Sequence, residues 1–370
     1  YIQNFLNGKQ REHIMDLQEL RIKIDSIDRG IVRLLNDRYE VVKQVGEWKR
    51  ERGEPIYVPE REKALLEKLE TLNRGPMPNS TLRAVYREIM SGALRLENPL
   101  KVAFFGPEAT FTHLAAKMKF GHGVDYISKG TIADVFHAVE SGKCDYGCVP
   151  VENSTEGVVN YTLDMLMDSS VKICAEINMR IQQCLLSNAE RSKIKVVYSH
   201  AQSLGQCRNW LAEHLPGVET VSVVSNSRAA DLASREEGAA AIGSELAADA
   251  YGLKIVEKGI QDNPNNTTRF LVTGTQEVKP SGKDKTSICF AIKDRVGALY
   301  DCLLPFKHAG VTLTMIESRP SKRRNWEYLF FVDMLGHATN PEIAAALGEL
   351  NTLAHSLKVL GSYPCAIPLE

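Results

Sequence analysis

Apolar residues at Leu17, Leu20, Ile24, Ile27, Ile31 and Leu34, resuming at Val41, Val45 and Trp48, alternate in steps of three and four. That spacing predicts one long amphipathic helix with a coiled-coil-like seam. It stops at Gly53-Glu54-Pro55, where helix breakers cluster. A second helix is expected over Glu60 to Leu72, closed by the Arg74-Gly75-Pro76-Met77-Pro78 loop. A third, capped by Asn79 or Ser80, runs through Tyr86, Ile89 and Leu94. Two short helices cannot cover so long a stripe, so an intertwined homodimer or higher homo-oligomer is expected.

After Asn98-Pro99 the period changes. Lys101 to Phe105 reads as a strand before a Gly106-Pro107 turn. Helical and strand segments then alternate through Thr131 to Ser141, Tyr146 to Val151, Lys195 to Ser199 and Ala239 to Gly243, an α/β signature. Thr275 to Lys285, polar and holding Pro280 and Gly282, reads as a linker. Beyond it come a strand (Ser287 to Ile292), a helix (Gly297 to His308), two strands (Val311 to Glu317, Trp326 to Met334), a helix (Pro341 to Ser356) and a strand (Lys358 to Ser362). This is the ferredoxin-like order. The expected division is a tail over 1–14, ahead of Met15, then a helical domain 15–98, an α/β domain 101–275 and an α+β domain 285–368.

One residue breaks the helical seam. The position after Leu34 is Arg38, whose guanidinium must snorkel to solvent or be held by an anion. Lys49 lies eleven residues on, about three turns and roughly 20° around the helix. Arg21, seventeen residues before Arg38, is about 25 Å away along a straight helix, so one small ligand reaches both only if Arg21 comes from a partner chain. Arg61, Glu62 and Glu97 add to the set.

Composition narrows the ligand class. The 370 residues carry 25% charged side chains and a net charge of −1, so no global basic field argues for nucleic acid or an anionic membrane. No apolar run approaches a membrane span, and no signal-like segment opens the chain. The eight scattered cysteines lack metal-ligand spacing; reduced thiols, a cytoplasmic setting and no metal or other cofactor are expected.

The spacing of Arg21, Arg38, Lys49, Arg61-Glu62 and Glu97 resembles the all-helical chorismate mutase family. The resemblance implies that Arg21 of a partner and Arg38 bind the two carboxylates of chorismate. It further implies that Lys49 and Glu97 flank the ether oxygen, that Glu62 holds the ring hydroxyl and that Arg61 supports the site. Val58 and Ala93 stand where some members carry aspartate and serine, and Glu97 where some carry glutamine. Glu97 can therefore donate to the ether oxygen only when protonated.

Five strings in the α/β block sit at strand ends, where open sheets collect ligand groups. They are Gly106 to His113, Pro150 to Gly157, Tyr198 to Gln202, Gly243-Ser244-Glu245 and Asn266 to Phe270. In this order they resemble the prephenate dehydratase family, which implies a two-lobed, periplasmic-binding-protein-like fold with a hinge and a cleft. The implied site residues are Thr268, Arg269, Phe270, Glu152, Asn153, Ser199 and Gln206. Thr268 would donate to the departing ring hydroxyl of prephenate. Glu152, if desolvated, could be a protonated partner, and Arg269 could pair a carboxylate or brace the cleft. Ala109 replaces a usual glycine, and Ala201 stands where proline is common. His113 and His200 are acid/base candidates whose structural reading is the better one, and Cys207 reads as a buried small residue.

Gly297, Ala298 and Leu299, together with Glu317, Ser318, Arg319 and Pro320, resemble the phenylalanine-binding segments of the ACT regulatory domain. Taken together, the resemblances imply a bifunctional chorismate mutase and prephenate dehydratase of phenylalanine biosynthesis, inhibited by L-phenylalanine. An arogenate-preferring dehydratase and a non-catalytic sensor of amino or oxo acids are the alternatives.

Overall fold

The computed structural model describes residues 16–97, 99–292, 295–320 and 328–366, with the side chain of Glu97 outside the described set. The chain divides into two compact units between Ile56 and Tyr57.

The first unit is one helix, α1 (Leu17–Arg52). A capping box of Asp16 and Glu19 opens it, and Gly53 closes it in the left-handed conformation at φ 63°. Lys49, Arg50 and Arg52 crowd its last turn, where cations favour the helix dipole. Its seam is uncovered: Leu17, Leu20, Ile24, Ile27, Ile31, Leu34, Val41 and Trp48 are all exposed.

The second unit begins with α2 (Pro59–Leu72), which has proline in its first turn, and α3 (Asn79–Glu97). Both fold with the chain that follows. Tyr57 is buried against Phe120 and Tyr146, and Gly123 N donates to Ser91 Oγ on α3 at 2.7 Å. A Cβ at Gly123 would come 2.3 Å from Ser91 O, so this approach requires glycine.

Next come β1 (Lys101–Phe105), α4 (Phe111–Phe120), β2 (Asp125–Lys129), α5 (Ile132–Glu140), β3 (Tyr146–Asn153), β4 (Gly157–Val158), α6 (Asn160–Asp168) and β5 (Lys172–Arg180). The chain then crosses into a second lobe: β6 (Cys184–Ser187), β7 (Val196–His200), α7 (Ala201–Gln206), α8 (Arg208–His214), β8 (Glu219–Val223), α9 (Asn226–Arg235), β9 (Ala239–Gly243), α10 (Glu245–Tyr251) and β10 (Lys254–Lys258). It returns through 259–266 to β11 (Thr267–Gly274). The first sheet is ordered β2-β1-β3-β11-β5, with β4 paired to β3, and the second is ordered β10-β6-β9-β7-β8. The two crossings are tied together: Gly259 N and Ile260 N donate to Gln183 O, and Ile181 N donates to Asn266 O. That is the double crossing expected of a two-lobed fold.

The last elements are β12 (Asp284–Ala291), α11 (Ala298–His308), β13 (Leu313–Pro320), β14 (Tyr328–Leu335), α12 (Pro341–Leu353) and β15 (Ser356–Pro364). They give a fully antiparallel sheet ordered β13-β14-β12-β15. Ile288, Phe290 and Val332 pack under α11 and α12. Cys289, Phe331, Leu360 and Tyr363 face the first sheet, sharing a core with Val149, Ile173 and Leu271. No described helix is long and apolar enough to cross a membrane.

Candidate functional site

Strand β11 lies between β3 and β5, with Thr268 opposite Asn153 and Arg269 opposite Glu152. Successive side chains alternate faces, so Thr268 and Asn153 share one face while Arg269 and Glu152 share the other. Asn153 Nδ2 donates to Thr268 Oγ1 and to Asn266 Oδ1, both at 2.8 Å. Asn153 Oδ1 accepts from Thr155 N and Glu156 N, fixing the side chain across the β3–β4 turn. Thr268 is 8% and Asn266 1% exposed.

Three expected site residues lie elsewhere. Arg269 does not face Thr268's side of the sheet: Nε donates to Glu176 (2.8 Å), Nη1 to Asp333 (2.6 Å) and Nη2 to Tyr363 (2.8 Å). Glu176 belongs to β5, and Asp333 and Tyr363 belong to the C-terminal sheet, so all three nitrogens are engaged within the protein and two of them tie β11 to that sheet. Glu152 lies 3.9 Å from Arg269 and has a 40% exposed side chain, so the desolvation expected of a proton donor would have to come from closure of the cleft. Phe270 is 2% exposed and packs in the core with Phe104 and Tyr146.

In the second lobe Ser199 is fully buried. Its Oγ lies 3.0 Å from both Asn226 Oδ1 and Ile242 O, which ties it to Asn226. Asn226 in turn accepts from His200 N and donates to Ser203 Oγ. Gln206 Oε1 accepts from Gln183 Nε2 at 3.1 Å and Gln206 O accepts from Asp262 N, which ties α7 to the crossing. His200 Nδ1 accepts from Gln202 N and caps α7, the structural reading expected of it. Cys207 is fully buried, its thiol pushed up to about 12 by burial. Sequence reasoning passed over Asn226 and Gln183, which sit in no recognisable motif; Asn266 lay within a quoted string but drew no role.

The lobes meet at the loop after β1. Ser227 Oγ donates to Glu108 O (2.6 Å) and Ser244 Oγ to Ala109 O (2.9 Å). Ala109 adopts φ 63°, the left-handed region that explains a usual glycine there. Its N–H donates to His113 Nδ1 at 3.1 Å, and the imidazole stacks on Phe104. Burial, aided by Lys117, lowers the His113 pKa to about 4.

Of the helical set, Arg38 Nη1 is buried with no hydrogen-bond partner among the described residues. Lys49 Nζ donates to Ile56 O at 2.7 Å, and Arg21 is exposed on α1. Glu62 accepts from Tyr57 OH (2.7 Å) and pairs with Lys119 of α4 at 3.0 Å, so its carboxylate is already engaged. Arg61, next to it on α2, is exposed. Val58 precedes α2 and supplies no side-chain cap, a contact an aspartate could make. The Glu97 side chain lies outside the described residues.

In the C-terminal unit Gly297, at φ 78°, caps α11 ahead of Ala298 and Leu299. Glu317, Ser318, Arg319 and Pro320 end the edge strand β13, with Glu317 and Arg319 turned inward. Arg319 Nη2 pairs with Asp164 of α6 at 3.1 Å, while its Nε and Nη1 are buried without partners among the described residues. No metal-binding group of His, Cys, Asp or Glu occurs among the described residues.

A helical segment followed by a two-lobed α/β unit and an antiparallel α+β unit sets the architectural class of the chain. Residues 20–98 match the family model of chorismate mutase type II, and residues 102–278 that of prephenate dehydratase. The bifunctional chorismate mutase/prephenate dehydratase of Aquifex aeolicus (strain VF5) is 49% identical over 360 residues, 96% of this chain and 99% of that protein. Among solved structures, the prephenate dehydratase from Arthrobacter aurescens in complex with L-Phe is 33% identical at a TM-score of 0.65, covering 72% of this chain and 90% of that one. GqqA, described as a novel type of quorum-quenching acylase, is 27% identical at a TM-score of 0.67, covering 72% and 98%. The chain belongs to the bifunctional chorismate mutase/prephenate dehydratase family.

Proposed function

We propose that the chain rearranges chorismate to prephenate on its helical segment and converts prephenate to phenylpyruvate in its two-lobed unit, under feedback from L-phenylalanine held by an ACT-type C-terminal domain. The first reaction is pericyclic and needs no nucleophile. It needs the reactive conformer held and the growing charge on the ether oxygen stabilised. Arg38 and, from a partner chain, Arg21 supply carboxylate ligands; Lys49 and Glu97 serve the ether oxygen, with Arg61 and Glu62 beside them. The exposed seam of α1 supports the intertwined dimer that this division of labour requires.

In the second reaction the ring carboxylate leaves as CO₂, and its bonding pair enters the ring. The C–O bond to the ring hydroxyl breaks with its pair on oxygen, which takes a proton from water. The observation that carries the reading is the bond from Asn153 Nδ2 to Thr268 Oγ1. It occupies one lone pair of the hydroxyl, whose own hydrogen has no acceptor among the described residues and is available to the leaving oxygen. Gly297, Ala298, Leu299 and Glu317 to Pro320 would receive the amino-acid effector.

The test supplies chorismate and prephenate separately to purified protein. Both conversions are expected, with Arg38→Ala losing only the first and Thr268→Val only the second. Binding of L-phenylalanine with neither product formed would refute catalysis and favour a sensor.

A further inference from the structure

The amide orientations around Thr268 are fixed by backbone groups whose identity is not in question. Thr155 N and Glu156 N can only donate, so the atom of Asn153 facing them is the oxygen. Its nitrogen therefore faces Thr268 Oγ1 and Asn266. Since that nitrogen is a donor, the Asn266 atom 2.8 Å away is the carbonyl oxygen. Flipping Asn266 would set two donors against each other. Every other polar group of Asn266 is used: N donates to Asn263 O, and O accepts from Ile181 N. Asn266 Nδ2 is left with no partner among the described residues, in a side chain 1% exposed.

A buried donor without an acceptor costs about 1–3 kcal/mol. Here it stands beside a second unused donor, because Thr268 and Asn266 hang from the same Asn153 nitrogen and the Thr268 hydrogen also lacks an acceptor among the described residues. Each side-chain acceptor of the cluster is engaged, while two of its donors are not. That arrangement suits an oxygen that gains negative charge, as preorganised donor pairs do in acyl transfer.

We infer that Asn266 Nδ2 is a substrate-contacting donor of the dehydratase site, converging with Thr268 Oγ1 on the departing ring hydroxyl of a cyclohexadienol acid. The inference rests on the dehydratase reading. Asn266 does not supply the proton; it stabilises the oxygen as the C–O bond breaks and the pair moves onto it, before water protonates it. An interaction that grows in the transition state lowers kcat when removed, whereas one to a spectator carboxylate would raise KM.

The experiment compares wild type, Asn266→Asp and Asn266→Ala on supplied prephenate, with chorismate turnover and circular dichroism as controls of fold. Asn266→Asp keeps the acceptor for Asn153 and replaces the donor with a second, charged acceptor; Asn266→Ala removes both without adding charge. We expect kcat to fall about 10²–10³-fold in each, by more than KM rises. A folded variant of either kind with kcat within threefold of wild type overturns the inference, as does a rise in KM at constant kcat, which would move the donor to a carboxylate. If one variant fails to fold, the other decides. Should wild type itself leave prephenate unchanged, the dehydratase reading fails instead.

Discussion

Replacing Arg269 with alanine separates two roles that the Thr268-Arg269-Phe270 string leaves open. The guanidinium, with a side chain 11% exposed, pairs with Glu176 and Asp333, whose side chains are 2% and 4% exposed. Lys285 also pairs with Glu176 at 2.8 Å, so two cations and two carboxylates close to neutrality. Removing the arginine leaves one buried negative charge uncompensated and takes a donor from the Tyr363 hydroxyl. Breaking a buried pair on one side costs about 3–5 kcal/mol. Against a typical domain stability of about 5–15 kcal/mol that is a large fraction.

Equilibrium urea denaturation of Arg269→Ala, read with steady-state kinetics on prephenate, should show the loss in stability with KM within about threefold of wild type. The acid limb gives a second readout. Burial pushes the Glu176 carboxyl up, but Arg269, Lys285 and the Ala366 N–H outweigh it and hold it below its ordinary value. A depressed carboxyl contributes stability that is present above its unfolded pKa and lost as pH falls through the folded value. Without Arg269 the depression shrinks, so Glu176 contributes less stability above its unfolded pKa and a shallower loss as pH falls below it. Stability within about 1 kcal/mol of wild type together with a tenfold rise in KM would refute the bracing role and return Arg269 to the substrate.

Leu34→Asp, in the exposed seam of α1, should shift the protein toward monomer in sedimentation velocity. Each lost leucine contact is worth about 1.5–3 kcal/mol and occurs twice per dimer, and mutase activity should fall in parallel while dehydratase activity persists. For His113 the folded pKa of about 4 lies below the unfolded value, so the unfolded chain binds the proton more readily between those values. Stability should drop by up to about 3 kcal/mol as pH falls through that window, a slope that urea titrations of His113→Gln should lack. Glu97 donates only when protonated, so mutase kcat/KM should decline as pH rises through its bound-state pKa, and Glu97→Gln should flatten that profile.

The long helix, the α/β alternation and the βαββαβ order at the end of the chain were legible because each rests on local periodicity, which neighbouring residues report directly. What covers a given face is set by distant chain, and periodicity is silent there. Ser199 and Gln206 carry the right chemistry at strand and helix ends, yet Asn226 and Gln183 claim their polar atoms. Neither partner is near them in sequence. Asn266 was the converse case: it headed the Asn266 to Phe270 string with no role of its own, and only the chain of amide orientations running back to Thr155 N and Glu156 N exposes an unused donor.

Strand β11 shows how a short motif can hold two functions that composition blends into one. Period two sends Thr268 toward Asn153 and Asn266, and sends Arg269 through the other face to Asp333 and Tyr363 of the C-terminal sheet. A second tie runs through α6, which begins seven residues after Asn153: Arg319 of β13 pairs with Asp164, and Lys358 of β15 donates to the carbonyls of Leu166 and Met167. The C-terminal sheet thus grips both segments that carry the Thr268 cluster, one at the residue next to Thr268 and one at the helix following the Asn153 turn. Any ligand that favours a different seating of that sheet must rearrange buried charge at Arg269 or lose the Arg319 pair, so its binding energy acts on the geometry around Thr268.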